Sequence, residues 1–204
     1  MKGLILKDLI NLKAQYKIFL VMITFFVFFA ILGDNHDTLG LILTMITIML
    51  PITAMAYDER SQWDKYALTM PVARKDLVLS KYLLGLLLAG AALVVNLAFQ
   101  VLSGPGLTTE AVLPCIGMFG GAIFALSLIL PVMFKFGVEK GRLVLMLTMF
   151  LPLGLMYLSK GKVNLPQPSA EVLQYLPYAA GAALVLVFLF SLLISLRVYK
   201  LKEL

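Results

Sequence analysis

The sequence predicts an all-α membrane protein of six transmembrane helices, and three observations carry that reading. Hydrophobic residues make up 61% of the 204-residue chain and charged residues only 14%, a balance that belongs to bilayer proteins. The apolar runs are continuous rather than alternating, and lipid tolerates such runs only as helices, which pair every backbone group internally. Finally, the 17 Lys and Arg residues fall almost entirely in alternate connections between the runs.

A helix needs about 20 apolar residues to cross the hydrocarbon core, within a range of roughly 17–25. Six stretches approach or meet that length: about 17–33, 38–57, 82–102, 111–134, 142–159 and 175–196. Together they make residues 1–204 a single transmembrane domain. The first and fifth are short, and flanking Tyr16 and Lys160 can extend them by snorkelling. Lys2, Lys7, Lys13 and Lys17 precede the apolar stretch from Ile18 to Gly33, but Phe29-Ala30-Ile31-Leu32-Gly33 lacks the small-x-small pattern of a cleavage site. An uncleaved first span is expected.

Orientation follows from the basic residues. Four lie before the first span, five in 58–81, three in 135–142 and three in the tail, fifteen in all, whereas the alternate connections hold only Lys160 and Lys162. That asymmetry places both termini in the cytoplasm. The net charge of +6 is scattered in short clusters, which fits an anionic inner leaflet better than nucleic acid. Before the first span, residues 2–16 place Ile5, Leu9, Leu12 and Tyr16 on one side and Lys7, Asp8, Asn11 and Gln15 on the other. This predicts an amphipathic helix lying in the inner interface.

Few residues could carry chemistry. No phosphate-loop motif occurs, since Met156 stands where the first glycine would precede Gly161-Lys162. Cys115, the single cysteine, reads as a small buried hydrophobe. The single His36 sits in a tight Asp34-to-Asp37 turn with too few neighbours for a metal site. No catalytic residue, metal site or cofactor is therefore expected in this chain. A membrane enzyme would need ionisable groups within its spans, and these spans offer only neutral polar residues such as Asn96 and Gln100, one turn apart. Those two either line a pathway or hold helices together. Gly117, Gly121 and Ala125, spaced by four, admit close approach of a second helix, from this chain or from another subunit.

The connection 58–81 is the longest and most charged. Thr69 can cap a helix and Pro71 fits a first turn, so a short helix is expected to start there and run toward span three. On its wheel Val72, Val78, Leu79 and Tyr82 share one side, and Arg74, Asp76, Ser80 and Lys81 take the other. Ala73 and Leu77 fall among the polar residues, an apolar pair ringed by charge that has the form of a docking knob.

At these residues the chain resembles the membrane subunit of a type-two ATP-binding-cassette (ABC) exporter. The likeness rests on Tyr57 to Tyr82, where an acidic and aromatic segment leads into Leu68-Thr69-Met70-Pro71-Val72-Ala73-Arg74-Lys75-Asp76 and then Ser80-Lys81-Tyr82. It rests also on Lys7-Asp8 within an N-terminal interfacial helix and on six spans over the whole length. The resemblance implies a cytoplasmic coupling helix after span two, with Pro71, Val72, Ala73, Arg74, Lys75, Asp76 and Leu77 contacting a separate phosphate-loop ATPase. It further implies two permeases, identical or closely homologous, and two ATPases, with ATP and Mg bound on the ATPases, in a bacterial plasma membrane. Within the family the chain is most similar to small permeases exporting phenol-soluble-modulin-like peptides. A scaffold or holin-like protein without an ATPase is the rival reading, and a membrane enzyme a more distant one.

Overall fold

The computed structural model describes residues 2–13, 16–32, 36–67, 69–103, 108–158 and 170–201. Among them every regular element is a helix: α1 (Lys2–Lys13), α2 (Tyr16–Leu32), α3 (His36–Arg60), α4 (Trp63–Ala67), α5 (Arg74–Ser103), α6 (Thr109–Phe136), α7 (Val138–Leu158) and α8 (Ala170–Leu201). The six apolar stretches coincide with α2, α3 and α5 to α8. Four of these, α3, α5, α6 and α8, are long and apolar enough to cross a membrane as described. Part of each predicted outer connection, namely 33–35, 104–107 and 159–169, lies outside the described residues.

Helix α6 is the centre of the bundle and packs against α3, α5, α7 and α8. Its Ile129, Leu130 and Met133 are buried together with Ile48 of α3 and Val78 of α5. In lipid such contacts contribute through close packing rather than through release from water, because the tails are as apolar as the side chains. Polar pairing therefore has to fix which helices meet. The Tyr82 hydroxyl of α5 lies 2.7 Å from Ser191 Oγ and 2.8 Å from Ser195 Oγ of α8, and Ser191 donates in turn to the Ser127 carbonyl of α6 at 2.5 Å. Gly40 lets α3 close on the other side, since a Cβ there would run into the Met118 thioether and the Asn96 amide.

Two expectations about local structure are corrected. No helix starts at Pro71: the Val72 N–H bonds back to the Met70 carbonyl at 2.7 Å, a three-residue turn centred on the proline, and proline's fixed φ suits that position. Helix α5 begins only at Arg74 and continues unbroken into the span. The buried stripe of α1 is Leu4, Asp8 and Leu12, while Leu9 is 44% exposed. Asp8 was placed on the polar side by periodicity, but α1 lies over α3 and α5, and Asp8 points inward to meet a lysine there.

Candidate functional site at the charged ends of the helices

The inward-facing ionic groups gather where the ends of α3 and α5 meet α1. Lys81 Nζ donates to both oxygens of Asp8, at 2.8 and 2.7 Å, and stands 2.5 Å from Asp58 Oδ2. Lys7 Nζ completes the square, 2.5 Å from Asp58 Oδ1 and 3.1 Å from Asp8 Oδ1. Two cations and two anions alternate around it, so each charge has two opposite neighbours. Asp8, Asp58 and Lys81 are buried, and a buried charge persists only when paired in this way. Lys7 also sits 4.4 Å from the Trp63 ring centroid, joining α4 to the square by a cation–π contact. A cavity of about 100 Å³ opens beside these groups, lined further by Leu4, Leu77, Met133 and Tyr199.

Glu59, next to Asp58, serves a different helix. Its Oε2 accepts the Val138 backbone N–H at 2.8 Å, so a carboxylate from α3 caps the N-terminus of α7, where the helix dipole favours an anion. The approach requires Gly137, whose φ of 86° and ψ of 175° fall in a region essentially reserved for glycine. A Cβ on Gly137 would also lie 2.9 Å from Glu59 Oε1. Gly137→Ala should therefore cost on the order of 1–3 kcal/mol in strain and displace the cap as well. Glu59→Ala should lose only the cap, about 1 kcal/mol. Thermal unfolding in detergent would rank the two, and a Gly137→Ala protein as stable as Glu59→Ala would contradict the strained backbone.

The segment from Ser61 to Ala73, which links α3 to α5, is anchored at both ends to the bundle. Gln62 takes a left-handed φ of 51° where α3 ends. Asp64 of α4 lies against the Tyr199 hydroxyl of α8. Arg74 Nη1 donates to the Lys200 carbonyl at 3.0 Å, placing a cation on the C-terminal end of α8.

Along the predicted docking segment, Pro71, Ala73 and Lys75 are exposed, while Val72, Arg74 and Asp76 are half-buried. Leu77 is 6% exposed and belongs to the core with Val78 and Tyr82. The expected outward pair is thus reduced to Ala73. The helical wheel went wrong because α1 covers the side of α5 that carries Leu77, Ser80 and Lys81, so residues that look solvated by spacing are interior. Asn96 and Gln100 are buried between helices. Asn96 Nδ2 donates to Cys115 Sγ at 3.3 Å on α6, and among the described residues its Oδ1 has no hydrogen-bond partner. Cys115 itself is buried, as its surroundings in the sequence suggested. Of the small residues on α6, Ala125 is buried, but a Cβ at Gly117 or Gly121 would meet nothing. Within this chain the close approach falls instead at Gly120, which faces Leu184 of α8.

Long apolar helices with their inward-facing ion pairs gathered at one end define a multi-pass helical membrane protein. The family model of ABC-2 family transporter proteins matches residues 3–200, and the chain belongs to that family. No curated protein and no solved structure matches it. Membership makes the chain the permease subunit of an ABC transporter, a membrane subunit that works with an ABC ATPase and is not that ATPase itself.

Proposed function

We propose that this permease serves an exporter that moves an amphipathic or hydrophobic substrate, a peptide in the first instance, from the cytoplasm. The observation that supports it best is the distribution of polar groups. Among the described residues of the apolar stretches 38–57, 82–102, 111–134 and 175–196, the buried polar residues Thr47, Asn96, Gln100, Ser127, Ser191 and Ser195 are all neutral, and the buried charges Asp8, Asp58 and Lys81 lie outside those stretches. A strongly charged substrate would find no opposite charge among these residues to offset its desolvation. The resemblance to permeases for phenol-soluble-modulin-like peptides points the same way.

In this reading α2, with 17 residues, and α7, with 21, join the four longer helices as spans. Both termini are then cytoplasmic, α1 lies in the inner interface, and the 58–81 segment faces an ATPase. Two permeases, identical or homologous, enclose the pathway, because one six-helix bundle with so few polar groups cannot enclose a conduit for a peptide; two ATPases bind ATP and Mg. The segment suits coupling because its anchors reach α1, α7 and α8 at once.

Cysteine labelling in a Cys115→Ala background tests the topology: a cysteine at position 65 should react only after the membrane is permeabilised. Reaction in intact cells would overturn the orientation. Transport by vesicles holding the permease and its ATPase tests the substrate, and uptake of a small sugar without any peptide or lipid movement would rule out the amphipathic class.

A further inference from the structure

We propose that the groove between α1, α2, α3 and α5 holds an acyl chain of an anionic phospholipid whose headgroup rests on Lys13. The groove is shallow and open along one side, with a volume of about 550 Å³. Its wall is built from Leu12, Leu20, Ile23, Ile46, Leu50 and Leu88. Thr24, the only uncharged polar residue of the wall among the described residues, donates its hydroxyl to the Leu20 carbonyl at 2.9 Å and asks nothing of an occupant. An alkyl chain suits such a wall. A peptide backbone does not, because its N–H and C=O groups would enter with no partners to replace water.

Lys13 supplies the second half of the site. Among the described residues it is the only charged one lining the groove, and it lies exposed in the last turn of α1. Lys7, earlier on the same helix, is held by two carboxylates, whereas among the described residues no acidic group pairs with Lys13. A phosphate at the mouth of the groove provides that partner while its chain fills the apolar wall. The inference rests on the inner-interface position proposed above for α1, since anionic lipid is concentrated in the cytoplasmic leaflet.

The test uses the full-length purified permease in detergent, offered equal amounts of phosphatidylglycerol and phosphatidylcholine, with retained lipid quantified by mass spectrometry. The wild type should retain phosphatidylglycerol over phosphatidylcholine by about fivefold, the size expected for one lysine at an anionic headgroup. Lys13→Glu should abolish the preference and Lys13→Arg should keep it. Leu9→Trp, which narrows the groove from an exposed position, should lower retention of both lipids. Equal retention of the two lipids by the wild type would overturn the proposal, as would an unchanged preference in Lys13→Glu or an amphipathic peptide recovered in place of lipid. The orientation fails separately: labelling of position 65 in intact cells, with the lipid preference intact, would move the groove to the outer leaflet and leave the site standing.

Discussion

Replacing Lys81 by methionine should destabilise the protein by about 3–5 kcal/mol, the usual cost of removing one member of a buried ion pair. Methionine keeps most of the apolar stem, so the loss reports charge rather than packing. Without Lys81, Asp8 and Asp58 face each other with only Lys7 between them, and Lys7 has 21% side-chain exposure that weakens its hold through solvent screening. The double variant Asp8→Leu/Lys81→Met removes one cation and one anion and leaves the Lys7–Asp58 contact in place. It should therefore be more stable than the sum of its single variants predicts, by about 1–3 kcal/mol. Urea or thermal unfolding in detergent supplies the four stabilities of the cycle. Strict additivity would mean that Asp8 and Lys81 do not depend on each other in solution.

The helices were legible because the spans are written in long continuous runs that no other structure tolerates. Helices α3, α5, α6 and α8 need no knowledge of their neighbours to be recognised. The ionic square was not legible, although the residues that form it were in view: Lys7-Asp8 stood in the N-terminal helix, Asp58 at the end of one run and Lys81 at the start of another. Three-dimensional closure joins positions 73 residues apart, as in the Lys81–Asp8 contact, and periodicity carries no information about which helix covers which. The same blindness misplaced Leu77 and Asp8, one read as outward and the other as solvated. Both errors have a single cause, the seating of α1 on α5, which converts an apparently polar face into an interior one. Charges of both signs in the N-terminal helix, at the end of the second span and just before the third, with signs that can alternate, were the available hint.

Burial of Leu77 changes what a charge at that position should do. Leu77→Asp would place a carboxylate in the core shared with Val78 and Tyr82, beside the aspartates of the square, and should cost on the order of 4 kcal/mol of stability. Loss of transport in that variant would then follow from a damaged bundle rather than from a failed contact with the ATPase. The clean probe of docking is Ala73, which is exposed and precedes the first turn of α5. If the Pro71–Lys75 stretch, with Pro71, Ala73 and Lys75 exposed, seats in an ATPase groove, Ala73→Trp should overfill the fit and weaken ATPase copurification at least tenfold, corresponding to about 1.4 kcal/mol, with the unfolding temperature unchanged. Lys75→Glu should do less in physiological salt, because a rim charge alters encounter more than affinity. Measuring thermal stability and ATPase retention on the same preparations separates the effects. A Leu77→Asp protein with wild-type stability but no bound ATPase would return Leu77 to the outer surface, and an Ala73→Trp protein that retains its ATPase fully would move the docking contact away from this stretch.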